Sequence, residues 1–156
     1  MPGGNRRRII FVELCTNPDS RIGKFAPPGV EVIRLTIKDD LTTPAGLAKA
    51  FDAVDTPSAI IVLFGALPCT GGRQWQRLNL HRGNAATRRK ILDHRKVFRV
   101  LWRNFVTVAE RCIALGGGVA FEWPRTCTYW HNRSVRAFIE RQASRDSIRR
   151  VHVWAG

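Results

Sequence analysis

The chain has 156 residues, 44% of them hydrophobic, with 26 Lys and Arg against 12 Asp and Glu, for a net charge of +14. That length and apolar content fit one folded domain and exclude a disordered chain, and the longest apolar run, Ala59–Leu67, is too short to cross a bilayer. The charge points to a polyanionic partner, with nucleic acid ahead of an anionic membrane surface. An excess of Arg supports that choice, because its planar fork suits phosphate.

In chain order, residues 1–8 form a basic tail ahead of the domain at 9–156, and "IIFVELC" (9–15) reads as a buried strand. The next segment has room for a turn or two of helix before Pro27-Pro28-Gly29, and "VEVIRLTI" (30–37) reads as a second strand. Thr43 as N-cap and Pro44 at the first helical position then start a helix. "SAIIVLFGA" (58–66) is the third strand. From about Ala85 to Leu115 apolar residues recur at helical spacing (Ile91, Phe98, Phe105, Cys112, with His94, Leu101, Val108 and Leu115), and "GGG" (116–118) ends the pattern. "VAFEW" (119–123) is a fourth strand, residues 132–143 a helix, and "RRVHVWA" (149–155) a fifth strand. This alternation predicts a single α/β, Rossmann-like domain: a mostly parallel five-stranded sheet with helices on both faces.

Ligands of such sheets bind beyond the carboxyl ends of the strands, where strand order reverses. Those exits carry Glu13 and Cys15, then Asp39 and Asp40, then Pro68-Cys69-Thr70-Gly71-Gly72, then Glu122-Trp123-Pro124. Acids at the first two exits suit a cofactor with ribose hydroxyls and an ammonium group. A thiol and a carboxylate at the next two suit covalent catalysis. Beyond Cys69, Arg73, Arg77, Arg82, Arg88, Arg89 and Lys90 surround Trp75, a pattern suited to tracking phosphates and stacking on a base. Four cysteines at these spacings read as reduced thiols in an intracellular protein. A Cys-to-Arg phosphate cradle is excluded by spacing, since Trp75 stands where its arginine belongs. Cys127-x-x-x-His131, even with Cys112, lacks a second ligand pair, so no metal centre is expected.

"FGALPCTGG" resembles the Pro-Cys motif of the cytosine-C5 DNA methyltransferases, and "VAFEWP" resembles their later Glu-containing strand motif. The resemblance covers two short motifs and the strand order. It implies a class I fold using S-adenosylmethionine, with Glu13, Ser20, Gly23, Asp39, Asp40 and Pro68 around the cofactor. Cys69 would attack C6 of a flipped pyrimidine, Glu122 would contact N3, and C5 would accept the methyl group. Gly71-Gly72 would act as a hinge for a closing loop, while Arg73, Arg77, Arg82 and Arg125 face phosphates and Trp75 stacks on or replaces a base. The chain departs from the pattern at its first loop, "VELCTNPDSRIG", which is poor in glycine, and at Thr70 and Trp123, where the family has Gln and Asn. It lacks room for a target-recognition domain, so a separate recognition chain or a longer parent polyprotein is the expected supplier. A non-catalytic nucleic-acid-binding module on the same scaffold is the alternative expectation.

Overall fold

The computed structural model describes residues 7–145. Four parallel strands form one sheet in the order β2-β1-β3-β4, with β1 at Arg8–Thr16, β2 at Val30–Thr36, β3 at Ala59–Gly65 and β4 at Gly118–Phe121. The helices are α1 (Arg21–Lys24), α2 (Pro44–Val54), α3 (Trp75–Arg82), α4 (Ala85–Ala114) and α5 (Arg133–Ala143). The sheet therefore has four strands among the described residues where five were expected, and the fifth, 149–155, lies outside them. Arg8, expected in the basic tail, opens β1 and pairs with Glu31.

Alternation along β1 sends Ile10, Val12 and Leu14 to one face, where Ile61 and Leu63 join them in the core. That face is covered by α4, which packs against α2 and brings Phe98, Leu101, Trp102, Phe105 and Val108 inward. Gly65 lies directly beneath the Phe105 ring, and a Cβ there would come within 2.6 Å of it. The opposite face carries Phe11 stacked on Phe64, with Ile9 40% exposed. Only the single turn of α1 lies over it among the described residues, with Gly23 packed on Val32. Helices on both faces thus reduces to one thick helical layer and one turn. The reason is local: Pro27-Pro28-Gly29 leaves the first crossover too few residues to build a helix.

Several signals act as the sequence predicts. The Thr43 hydroxyl accepts from Gly46 N at 3.1 Å at the start of α2. The end of α4 is a Schellman turn, with Gly116 at φ +83 and Gly117 N donating to Cys112 O at 2.9 Å. Helix α3 was not foreseen. It buries none of its residues, so it shows no apolar period to read.

Candidate functional site

Strand order reverses between β1 and β3: the chain leaves β1 for β2 on one side and returns past it to β3 on the other. Two cavities open at the carboxyl ends of the strands there. The first, about 1050 Å³, is lined by Pro68, Cys69, Thr70, Arg73, Glu122 and Arg125, with Trp130 as an aromatic wall. The second, about 770 Å³, is lined by Thr36, Asp40, Thr42 and Lys96 and by the apolar Ile37, Leu41, Val97, Val100 and Leu101. Cys15, Thr16, Asn17 and Pro68 line both. The two cavities share a wall.

That wall is built from an irregularity. The β1–β2 register shifts between Leu14 and Thr16, and Cys15 adopts φ 60, a conformation disfavoured for a residue with a Cβ. Burial, helped by the nearby Asp40 charge, pushes the Cys15 thiol up to about 12, so it stays protonated. The Thr16 hydroxyl is buried with no hydrogen-bond partner among the described residues. Nothing in the run "IIFVELC" announces a left-handed residue, so this wall could not be read from sequence. Non-glycine positive φ values are held only where surrounding structure enforces them, and they gather at functional sites.

The Pro-Cys and Glu-Trp-Pro segments are brought together and fastened. Glu122 N donates to Gly65 O at 3.2 Å, and Trp123 Nε1 donates to Leu67 O at 2.8 Å from a position 5% exposed. Trp123, one of the chain's departures from the resembled motif, thus ties the exit of β4 to the exit of β3. Cys69 is half-buried and begins the 3-10 turn Thr70–Gly72, whereas Glu122 is exposed at the cavity edge.

The glycines after Cys69 sit in a crowded turn and not in an open loop. Both are buried: a Cβ on Gly71 would come 2.5 Å from the Tyr129 hydroxyl, and one on Gly72 would come 2.9 Å from Cys127 Sγ. Arg95 Nε donates to Gly71 O at 3.1 Å and clasps the turn from α4. Close approach explains these glycines, and the turn is held from both sides.

The expected cofactor residues divide. Asp40 lines the second cavity and Pro68 the shared wall. Ser20 lines the first cavity but gives its hydroxyl to Glu13 Oε1 at 2.7 Å and makes no side-chain cap to α1. Glu13 is fully buried and lies in neither cavity. It also accepts from Gly23 N at 3.1 Å and from Arg34 Nε at 2.6 Å. Burial alone would raise its carboxyl, but the hydrogen bonds from Ser20, Arg34 and Gly23 outweigh it and hold the group below its ordinary 4.5. Asp39 accepts from Thr36 N and pairs with Lys49, bonds that lower its carboxyl and fix the turn after β2. Glu13, Gly23 and Asp39 thus serve the frame.

Of the expected nucleic-acid residues, Arg73 and Arg125 reach the first cavity. Trp75, 73% exposed, sits on α3 with Arg77 and Arg82, and the exposed Arg88, Arg89 and Lys90 begin α4 beside it. Among the described residues no three His, Cys, Asp or Glu side chains are grouped to hold a metal ion, and no helix is long and apolar enough to cross a membrane. Comparison of the chain with family models, curated proteins and solved structures yields no match.

Proposed function

We propose that this chain is a nucleic-acid methyltransferase-like domain that methylates pyrimidine C5 through a covalent bond to Cys69. One observation carries the reading: two cavities share a wall at the point where strand order reverses, one bearing a thiol and a carboxylate and the other an acid beside apolar walls. Transfer between two bound molecules needs two such sites in contact.

The second cavity fits S-adenosylmethionine in size and chemistry. Asp40, with one carboxylate oxygen already accepting from Thr42 N and Oγ1, keeps the other for a ribose hydroxyl or an ammonium group. Ile37, Val97, Val100 and Leu101 offer apolar surface to a base. S-adenosylmethionine, when bound, supplies an electrophilic methyl group. The chain's own residues do the rest. Cys69 Sγ adds to C6 while Glu122 contacts N3 and steadies the electron-rich ring, and C5 becomes the nucleophile that takes the methyl group. Loss of the C5 proton to water then expels Cys69 Sγ and restores the C5–C6 double bond. Arg73 and Arg125 at the cavity edge meet phosphates, and Trp75 and the basic start of α4 extend that surface.

A second reading is favoured by the first loop, where the Glu13 network occupies the place at which the resembled family carries a glycine-rich cofactor loop. On that reading the domain binds nucleic acid without catalysis. Thermal unfolding with S-adenosylmethionine or S-adenosylhomocysteine separates the two. Ligand at about 100 times its dissociation constant stabilises by about 2.7 kcal/mol, which raises the midpoint by roughly 5–10 °C in a domain of this size. Absence of any shift in a cooperatively unfolding sample removes the methyl donor and leaves the binding module.

A further inference from the structure

Cys127 has no part in the mechanism above, yet it is a thiol 2% exposed against the turn that Cys69 begins. Its Sγ faces the α-carbon of Gly72, where an added Cβ would sit 2.9 Å away. Gly72 is in turn bound to Cys69, its N–H donating to Cys69 O at 2.9 Å. The Cys127 backbone is held on both sides, by Cys127 N to Pro124 O at 2.8 Å and Trp130 N to Cys127 O at 3.3 Å. Neighbouring Tyr129 is fixed by stacking on Phe98, with ring centroids 3.6 Å apart. Burial pushes the Cys127 thiol up, a hydrogen bond from the Tyr129 backbone opposes it, and the nearby Cys69 thiol adds to the rise. Both thiols are free, and only Cys69 opens to the cavity.

We infer that Cys69 and Cys127 form a redox pair: peroxide entering the first cavity oxidises Cys69, and Cys127 closes a disulfide onto it. The Cys69 thiolate attacks one peroxide oxygen, the O–O bond breaks, and hydroxide leaves a sulfenic acid on sulfur. Cys127 gives up its proton and attacks that sulfur, the S–O bond breaks, and water leaves as the S–S bond forms. Two thiols lose two electrons, and one hydrogen peroxide becomes two waters. A dithiol reductant restores the pair. Closure ties the cavity nucleophile to a buried partner and guards it against irreversible oxidation to the sulfinic acid. The consequence for catalysis rests on the methyl-transfer reading, whereas the crosslink rests on the two loops alone.

The test treats the native chain with a small excess of hydrogen peroxide, blocks remaining thiols with N-ethylmaleimide under denaturing conditions, and maps unreduced peptides by mass spectrometry. The expected result is a Cys69–Cys127 crosslinked peptide, with free thiols falling from four to two while Cys15 and Cys112 stay alkylated. Cys127→Ser carries Cys69 on to the sulfinic acid under the same treatment. Cys69 reaching the sulfinic acid in the unmutated chain while Cys127 stays alkylated overturns the pairing, and so does a Cys69–Cys15 link. A crosslink in a chain that S-adenosylhomocysteine does not stabilise leaves the redox pair standing and removes only the methyl-transfer reading.

Discussion

Glu13 and Glu122 are both acids at the exits of parallel strands, and the fold treats them in opposite ways. Glu13 is sealed, with its oxygens engaged by Ser20, Gly23 and Arg34. Glu122 is exposed on a cavity wall, held there by its backbone and by the Trp123 indole. A saturated carboxylate organises a loop; an unsaturated one is left for a ligand. The same contrast separates Asp39, committed to Thr36 and Lys49, from Asp40, which keeps an oxygen over the second cavity.

The sharpest way to break that comparison is to remove the open side. On the methyl-transfer reading, Cys69→Ser is expected to lower transfer by more than about 10⁴-fold, and Glu122→Gln by about 10²–10⁴-fold. Both should leave the unfolding midpoint near that of the parent chain. Single-turnover assays beside thermal melts check this; full transfer by Cys69→Ser would end the covalent mechanism.

Removing the sealed side should do the reverse. Glu13→Ala removes the carboxylate facing Arg34, which keeps only its bonds to the Pro18 and Ser20 carbonyls. Because Arg34 is partly exposed, the expected cost is about 2–3 kcal/mol of stability, read by urea unfolding at neutral pH. The pH dependence has a definite sign. Because the folded state lowers the Glu13 carboxyl, its contribution is full above the unfolded value near 4.5 and is lost as pH falls through the lower folded value. Parent and Glu13→Ala curves should therefore converge in acid. A constant gap down to strongly acidic pH would show that the loss came from packing.

The smallest expected effect concerns the charged surface. On the nucleic-acid reading, replacing Arg73, Arg77 and Trp75 together by Ala should weaken binding to a single-stranded oligonucleotide without changing stability. It should also reduce the slope of log affinity against log salt by about 0.7 for each arginine lost. An unchanged slope would move the phosphate track elsewhere on the molecule.

How much of this was legible follows from which residues advertise themselves. Thr43-Pro44 and the glycines at 116–118 act within a few residues, and α2 and α4 begin and end where they indicate. Pro68-Cys69 and Glu122 were visible as strand exits because an apolar run stops at each, and the parallel sheet then lines both up on one cavity. The fate of Glu13 was not visible. Its main partner, Arg34, lies 21 residues on, on a neighbouring strand, and only the β1–β2 register sets them side by side. Cys127 at the back of the Cys69 turn was hidden for the same reason. Gly71-Gly72 suggested motion because glycine permits it, but crowding by Tyr129 and Cys127 requires glycine just as strongly.

Helix α4 has a length that the sheet does not need. Its contacts with the strands run from Cys112, opposite Ile61 O, back to Phe105 over Gly65, and Val97 already lies at the second cavity. Residues 85–96 therefore project past the strand ends, an overhang of about 18 Å at 1.5 Å per residue, braced by α3 and by the Cys69 turn. Arg88, Arg89 and Lys90 lie about 10–14 Å back from Val97 along the helix, or roughly three to four base steps at about 3.4 Å each. On the nucleic-acid reading the domain carries its own ruler. An oligonucleotide confined to the cavities would miss Arg88, Arg89 and Lys90, and affinity should step upward once the strand extends about three to four nucleotides along α4.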